Sequence, residues 1–183
     1  PMYFLLSHLS VIDTLYISTI VPKMLVDYLM GEGTISFIAC TAQCFLYMGF
    51  MGAEFFLLGL MAYDRYVAIC NPLRYPVLMS RRVCWMIIAG SWFGGSLDGF
   101  LLTPITMSFP FCNSREINHF FCDLPPLLSL ACSDVTVNET LLFLVATLNE
   151  SVTIMIILTS YLLILTTILK IHSAESRHSV FAE

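Results

Sequence analysis

The sequence predicts an all-α membrane protein with four transmembrane helices. Of its 183 residues, 58% are hydrophobic and 11% are charged, whereas soluble domains carry about 25% charged residues. The apolar residues gather in four segments, each long enough to supply the roughly 20 residues that a bilayer-spanning helix needs. The 8 Lys and Arg residues form no basic patch, which argues against a nucleic-acid partner and leaves the lipid bilayer as the expected environment.

The four predicted spans follow one another along the chain, at residues 4–28, 35–63, 83–103 and 141–169. A loop at about residues 64–82 joins the second span to the third, and a longer loop at about 105–137 joins the third to the fourth. Each span is nearly free of charge, and the second has Glu54 as its single charged side chain before residue 61. Such runs are typical of helices that cross a membrane, because a helix satisfies its own backbone polar groups in lipid.

The basic residues predict the orientation of the spans. One side of the membrane carries most of them: Arg65, Arg74, Arg81, Arg82, Lys170 and Arg177. The other side has only Lys23 and Arg115. Because lysine and arginine are enriched in cytoplasmic loops, we expect the loop at 64–82 and both ends of the chain to be cytoplasmic.

Two carboxylates are predicted at mid-membrane depth. At a rise of about 1.5 Å per residue, Asp13 lies about 15 Å along its helix from Tyr3, and Glu54 lies about 16 Å before Arg65. A charge at that depth is costly unless it is protonated, paired or hydrated, so it favours a functional role. The pair could share a sodium ion or a proton. The alternative is a buried polar network that only fixes helix packing.

Four of the 7 cysteines fall on the predicted outer side, where disulfides persist: Cys40, Cys112, Cys122 and Cys132. Four cysteines allow three pairings, and the spacing alone does not choose between them.

One string at the end of the second span carries the strongest signal, since residues 61–70 read MAYDRYVAIC. Other strings follow in order: PMYFL at 1–5, PKML at 22–25, CTAQ at 40–43, NPLRY at 71–75, HFFCD at 119–123 and LACSD at 130–134. Together they resemble the odorant (olfactory) receptor family of rhodopsin-like, class A G-protein-coupled receptors, from its second to its fifth helix. The resemblance implies that residues 1–183 are part of a seven-transmembrane-helix bundle.

The resemblance implies a plasma-membrane receptor that detects small volatile odorants and activates a stimulatory heterotrimeric G protein of the olfactory type, with no catalysis. It implies an activation switch formed by Asp64, Arg65, Tyr66 and Tyr161. In this switch a carboxylate restrains Arg65 in the inactive state, and Tyr161 supports the active state. The alternative is an arginine that only extends to the membrane interface. The resemblance also supports a cation or water site at the two mid-membrane carboxylates.

An odorant pocket is implied between helices in the outer half of the bundle. Its candidate residues are Cys44, Tyr47, Met48, Met51 and Gly52 on the second span, and Val145, Ala146 and Asn149 on the fourth. Tyr47, Met48 and Met51 stand at i, i+1 and i+4 and therefore share one helical face. Methionine suits a tolerant pocket because its flexible thioether adapts to different shapes. The alternative is plain helix packing, which a stripe of methionine and aromatic residues more often serves.

The resemblance selects one pairing of the outer cysteines, Cys40 with Cys122 and Cys112 with Cys132. These bonds would tie the outer loop down as a lid over the pocket. At the end of that loop Asn138 begins a glycosylation sequon, very close to the fourth span. No metal site is predicted.

Three other functions compete with this interpretation. A transporter or channel could use the intramembrane carboxylates as an ion path, but no internal repeat of the kind common in transporters is visible. An enzyme is not indicated, because no nucleophile–base pairing or zinc motif stands out. A non-functional or partial receptor gene copy is the third, since residues 179–183 read SVFAE where the family reads close to KAFSTC.

Overall fold

A computed structural model of the chain describes residues 2–31, 35–108, 116–117, 121–122, 127 and 136–180, with side chains in the last helix described to residue 171. The described helices are α1 (Met2–Met30), α2 (Phe37–Cys70), α3 (Tyr75–Leu78), α4 (Arg81–Met107) and α5 (Thr136–Val180). Two short strands, β1 (Ile35–Ser36) and β2 (Glu116–Ile117), pair antiparallel. The prediction of an all-α membrane protein is confirmed, since the strands contribute only two residues each.

Helix α2 is longer than its predicted span. Ser36 caps its first turn by accepting the Ala39 N–H at 3.4 Å, which satisfies a donor that has no partner within the helix. The helix then continues through Asp64 and Arg65 and ends at Cys70, beyond the predicted end at Tyr63. An apolar run marks the part of a helix that lies in lipid and does not mark where its hydrogen bonding ends, so hydropathy places this boundary too early.

Among the described residues, three helices are long and apolar enough to cross a membrane: α1, α2 and α5 as far as Ile171. Helix α4, which contains the predicted third span, has 27 residues and a length of about 40 Å, but it is less apolar. The reason lies in its small and polar residues, which include Gly90, Ser91, Gly94, Gly95, Ser96, Asp98 and Gly99. That α4 also crosses the membrane, as the predicted third span, therefore stays a prediction.

Three glycines of α4 face α2: Gly94, Gly95 and Gly99. Helix α2 is central, because it contacts α1, α4 and α5, and its contact with α4 is the most extensive. A Cβ atom on Gly95 would lie 2.2 Å from the carbonyl oxygen of Gly49 and 2.5 Å from the backbone nitrogen of Ala53. The two backbones therefore touch, and small residues are what allows helices to approach this closely in a membrane.

Two hydrophobic clusters complete the packing around α2. One joins α1 to α2 and α4, and its buried members are Leu5, Ile12, Ala53, Leu57 and Ile88. The other lies where α2 and α5 begin, and its buried members are Ile35, Cys40, Cys122, Leu127 and Leu142. The second cluster covers one end of the bundle with residues from the segment between α4 and α5.

We expect Gly95→Ala to separate α2 from α4. The added methyl group would collide with backbone atoms, which cannot rotate away, and overpacking of this kind costs about 1–3 kcal/mol. The buried thiols of Cys44 and Cys84 should then react with a maleimide reagent at a lower temperature than in the parent chain.

Gly90→Ala is the matched control on the same helix, because nothing lies within 4 Å of a Cβ atom there. Maleimide should label the thiols of this variant at the same temperature as those of the parent or at a slightly higher one, since alanine favours helix by about 1 kcal/mol over glycine. Equal labelling temperatures for the two variants would contradict the close contact of the backbones.

Candidate functional site

A cavity of about 550 Å³ lies between α2, α4 and α5. Six of the residues that we predicted for ligand binding line it: Tyr47, Met48, Met51, Gly52, Ala146 and Asn149. Phe55, which the sequence analysis did not single out, continues the same face of α2 one turn after Met51. The i, i+4 spacing of helical residues was the signal that could have found it. The size suits a small organic molecule, since ligand pockets measure about 300–1,000 Å³.

The other two predicted ligand-binding residues do not line the cavity. Cys44 is fully buried, and its Sγ atom lies 3.9 Å from the sulfur of Met48. Val145 is half-buried on α5 beside the cavity-lining Ala146. Neither side chain is placed to contact a molecule in the cavity directly, and ligand binding by the other six stays a prediction.

A buried carboxylate forms part of the cavity wall. Asp98 of α4 lines the cavity and is 9% exposed. The side-chain amide of Asn149 donates a hydrogen bond of 2.8 Å to its Oδ2 atom. A Cβ atom on Gly52 would lie 2.5 Å from the same oxygen, so the missing side chain makes room for the carboxylate. The sequence shows Asp98 only as a polar residue in α4, because the rotation of α4 toward the cavity depends on packing.

Two further acidic residues lie on the α5 side of the cavity. Glu139 and Glu150 line it, and both are exposed. Asn138, the first residue of the sequon, lies in the first turns of α5.

The cavity lies beside a covalent link between α2 and the segment that precedes α5. Cys40 is bonded to Cys122, which is the pairing that the resemblance implied, and both residues are buried. We call the part of the bundle around this bond the disulfide end. The predicted bond between Cys112 and Cys132 lies outside the described residues.

Gln43 fastens the disulfide to α1 and α2. This side chain is 7% exposed. Its Oε1 atom accepts the backbone N–H of Cys122 at 3.0 Å, and its Nε2 atom donates to the backbone carbonyl of Thr19 at 2.9 Å. One amide thus links α1, α2 and the segment that carries Cys122, and the sequence analysis did not predict this role.

Aromatic contacts continue from Gln43 to the cavity. The ring of Tyr47 meets the ring of Phe121 edge-on with centroids 5.1 Å apart, and it lies 5.6 Å from the ring of Tyr16. Aromatic pairs at these distances are favourable beyond their buried area. The segment with Phe121 and Cys122 therefore contacts a cavity-lining side chain, as a lid would.

The two mid-membrane carboxylates lie at the contact between α1 and α2. Asp13 is close enough for its charge to act on Glu54, and both side chains are half-buried. Within the described part of the chain, no group of three or more His, Cys, Asp or Glu side chains is placed to hold a metal ion. The cation or water site thus has two candidate carboxylates, and binding of sodium there stays a prediction.

At the opposite end of the bundle, Asp64 has a different partner from the predicted one. It is 1% exposed and accepts a hydrogen bond of 3.0 Å from the hydroxyl of Tyr75 in α3. No ion pair joins Asp64 to Arg65 in the described structure, and Arg65 is exposed. The expected restraint of Arg65 by its neighbouring carboxylate is therefore absent here, because side chains at i and i+1 of a helix do not face each other.

The two tyrosines of the predicted switch lie on different helices, Tyr66 on α2 and Tyr161 on α5. Tyr161 on α5 is 57% exposed. Tyr66 is half-buried and lines a groove between α2 and α5 together with Ser160. No hydrogen bond among the described residues joins Arg65 to either tyrosine. Of the switch residues, Asp64 is hydrogen-bonded to Tyr75, and the switch itself stays a prediction.

Tyr75 keeps its proton under ordinary conditions. Burial, followed by the hydrogen bond to Asp64, raises the pKa of Tyr75 from 10.0 to about 12. A raised pKa means that the neutral hydroxyl is favoured in the folded state. The hydrogen bond is therefore fully present below pH 10.0 and is lost only as the pH rises toward about 12.

Long apolar helices around a cavity, with a disulfide-tied segment over one end, define a multi-pass helical membrane protein with a cavity large enough for a small ligand. A family model described as "Olfactory receptor" matches residues 1–183. The chain therefore belongs to the olfactory receptor family, which consists of G-protein-coupled receptors and not of enzymes.

Human olfactory receptors are similar to the chain throughout. It is 72% identical over 182 residues to olfactory receptor 2T6 of Homo sapiens, covering 100% of the chain and 59% of that protein. It is 70% identical over 182 residues to human olfactory receptor 2T1, of which it covers 49%, again with 100% of the chain. The chain thus spans about half to three-fifths of the length of these relatives.

Gln43→Leu should loosen the segment that carries Cys122. The substitution leaves the buried N–H of Cys122 without its acceptor, and a buried donor that loses its partner costs about 1–3 kcal/mol. We expect dithiothreitol to reduce the disulfide between Cys40 and Cys122 faster than in the parent. Thr41→Val is the control, because the hydroxyl of Thr41 bonds only within its own helix, to the carbonyl of Phe37. A parental reduction rate for Gln43→Leu would contradict the anchoring role of Gln43.

Tyr75→Phe should release α3 from α2. It removes the donor to a buried carboxylate, which costs about 1–3 kcal/mol, so the backbone amides of α3 should exchange hydrogen faster in mass spectrometry. The difference in hydrogen exchange between the variant and the parent should stay constant at any pH below 10.0, the ordinary pKa of tyrosine. The control is Tyr63→Phe, since Tyr63 is 43% exposed. Unchanged exchange in α3 would count against the hydrogen bond as its anchor.

Proposed function

We propose that the chain forms the ligand-binding and G-protein-coupling core of an odorant receptor. The observation that carries the proposal is the cavity between α2, α4 and α5, beside a disulfide-tied segment, in a chain of the olfactory receptor family. A small volatile odorant binds in the cavity, and a stimulatory G protein of the olfactory type binds at the opposite end. The ligand acts by stabilising the active arrangement of the helices more than the inactive one.

The lining of the cavity supports a hydrophobic ligand. Tyr47, Met48, Met51 and Phe55 offer aromatic and thioether surface, and Asn149 adds a polar group. Pockets for small molecules are mostly apolar with a few polar groups that fix orientation. Methionine adapts to ligands of different shape, which suits a receptor for several related odorants.

The basic residues support a plasma-membrane orientation with the Arg65 end in the cytoplasm. Arg65, Arg74, Arg81 and Arg82 are all exposed at the end of the bundle opposite the disulfide. Cytoplasmic loops are rich in such residues, and disulfides persist on the outer side. In this orientation both ends of the chain are cytoplasmic and the cavity opens toward the outer half of the bundle.

The exposed Arg65 supports coupling to a G protein. Asp64 is bonded to Tyr75, so the guanidinium group of Arg65 is available to a partner. We propose that the pair holds the loop after α2 in position while Arg65 makes the contact. Tyr66 and Tyr161 support the active arrangement, and Asp13 with Glu54 holds a sodium ion, a water or a proton that links ligand binding to activation.

An ion path is the weaker alternative. A transporter or channel would need its carboxylates to follow one another along a single route. Glu54 interacts with Asp13 of α1, whereas Asp98 interacts with Asn149 of α5. Glu54 thus faces α1 and Asp98 faces α5, so these acidic side chains do not follow one route. This arrangement favours the receptor over the transporter.

Arg65→Ala tests the coupling in a full-length receptor, in which this chain is joined to the flanking segments of human olfactory receptor 2T6. We expect odorant-stimulated cyclic AMP to be lost while surface expression is retained, because Arg65 is exposed and no packing depends on it. Arg82→Ala removes an equal charge from the same end and should reduce the signal much less. A normal response from Arg65→Ala, measured at equal surface expression, would overturn the assignment of Arg65.

A further inference from the structure

The charged residues around the cavity are all acidic. Asp98, Glu139 and Glu150 line it, and the described residues of its wall include no lysine, arginine or histidine. A buried charge such as that of Asp98 costs desolvation energy, so a cavity that receives only neutral molecules has no need of it. The negative charge of the cavity wall therefore indicates the charge of the ligand.

Of the three acidic residues, Asp98 is the most deeply buried in the cavity wall. More than nine-tenths of it is buried, with 9% exposed. Its Oδ2 atom accepts the amide of Asn149, and the other oxygen, Oδ1, accepts no hydrogen bond from a described residue. Gly52 leaves room for the carboxylate beside α2. A buried carboxylate with one neutral partner can still bind a cation, which would offset the cost of its burial.

The remainder of the wall suits the apolar part of such a ligand. Tyr47, Phe55 and Phe143 contribute aromatic rings, and Met51 and Leu102 contribute aliphatic surface. Aromatic faces also attract ammonium groups directly. A molecule with one positive charge and a small aromatic or aliphatic body matches both the charge and the volume of about 550 Å³.

We propose that Asp98 is the ionic anchor of the cavity and that the preferred ligands are small protonated amines with an apolar tail. The ammonium group binds to the carboxylate of Asp98, while Asn149 orients that carboxylate from α5. Carboxylic acids of the same shape are repelled, and alcohols of the same shape gain only a neutral hydrogen bond. The inference rests on the proposed function, because it assumes that this cavity receives the odorant.

The test compares three ligands with one carbon skeleton, 2-phenylethylamine, 2-phenylethanol and phenylacetic acid, on the full-length receptor described for Arg65. Binding is measured as the rise in the temperature at which maleimide labels the buried thiols, and signalling is measured as cyclic AMP. We expect the amine to half-saturate binding at a concentration about tenfold or more below that of the alcohol, since a hydrogen bond to a charged group is stronger than one between neutral groups. Phenylacetic acid should bind most weakly.

Asp98→Asn is the decisive variant, because it keeps an oxygen that can accept the amide of Asn149 and removes the charge. The preference for the amine over the alcohol should disappear. Asp27→Asn, which removes a carboxylate outside the cavity, should keep the preference. Should Asp98→Asn fail to reach the membrane, the ligand comparison on the parent receptor decides by itself.

The outcomes separate this inference from the proposed function. Equal binding of amine and alcohol to the parent overturns the inference, and so does an amine preference that survives Asp98→Asn. In the second case Asp98 and Asn149 serve only to fix α4 against α5. Preferred binding of the amine without cyclic AMP from any ligand supports the anchor and overturns the proposed signalling.

Discussion

The contact between the backbones of α2 and α4 is the constraint on which the rest of the structure depends. Gly95 lies so close to Gly49 and Ala53 that no side chain fits between the helices. This contact fixes the rotation and depth of α4. It thereby brings Asp98 against Gly52, and it leaves the cavity on the side of α2 that faces α5.

The same contact explains why α4 is less apolar than its neighbours. Lipid is as apolar as a leucine side chain, so close packing of small residues, more than hydrophobicity, drives helices together in a membrane. Two buried hydroxyl groups on α4 are compatible with this role because they bond within the helix. The hydroxyls of Ser91 and Thr106 donate to the carbonyls of Ile87 and Leu102, each at 2.9 Å. The small residues of α4 therefore lower its hydropathy and allow its tight contact with α2.

Both ends of the bundle are fastened by single buried polar side chains. Gln43 holds the segment with Cys122 at the disulfide end, and Asp64 holds α3 through Tyr75 at the other. Neither role follows from periodicity, because Cys122 is distant from Gln43 along the chain and Tyr75 lies in a separate short helix, α3. The face of Tyr47, Met48 and Met51 could be predicted, since it needs only the helical repeat.

The sequence by itself determined the class of membrane protein, the location of three apolar helices, the signature string at the end of α2 and the face of α2 that lines the cavity. These features depend on composition, local periodicity and short motifs, which are properties of neighbouring residues. The tertiary structure alone decided that Asp98 joins Asn149 at the cavity wall, that Gln43 bridges α1 to the disulfide, and that Asp64 bonds to Tyr75 and not to Arg65. Those pairings depend on how one helix is rotated against another, and that rotation is set by packing between residues far apart in the chain.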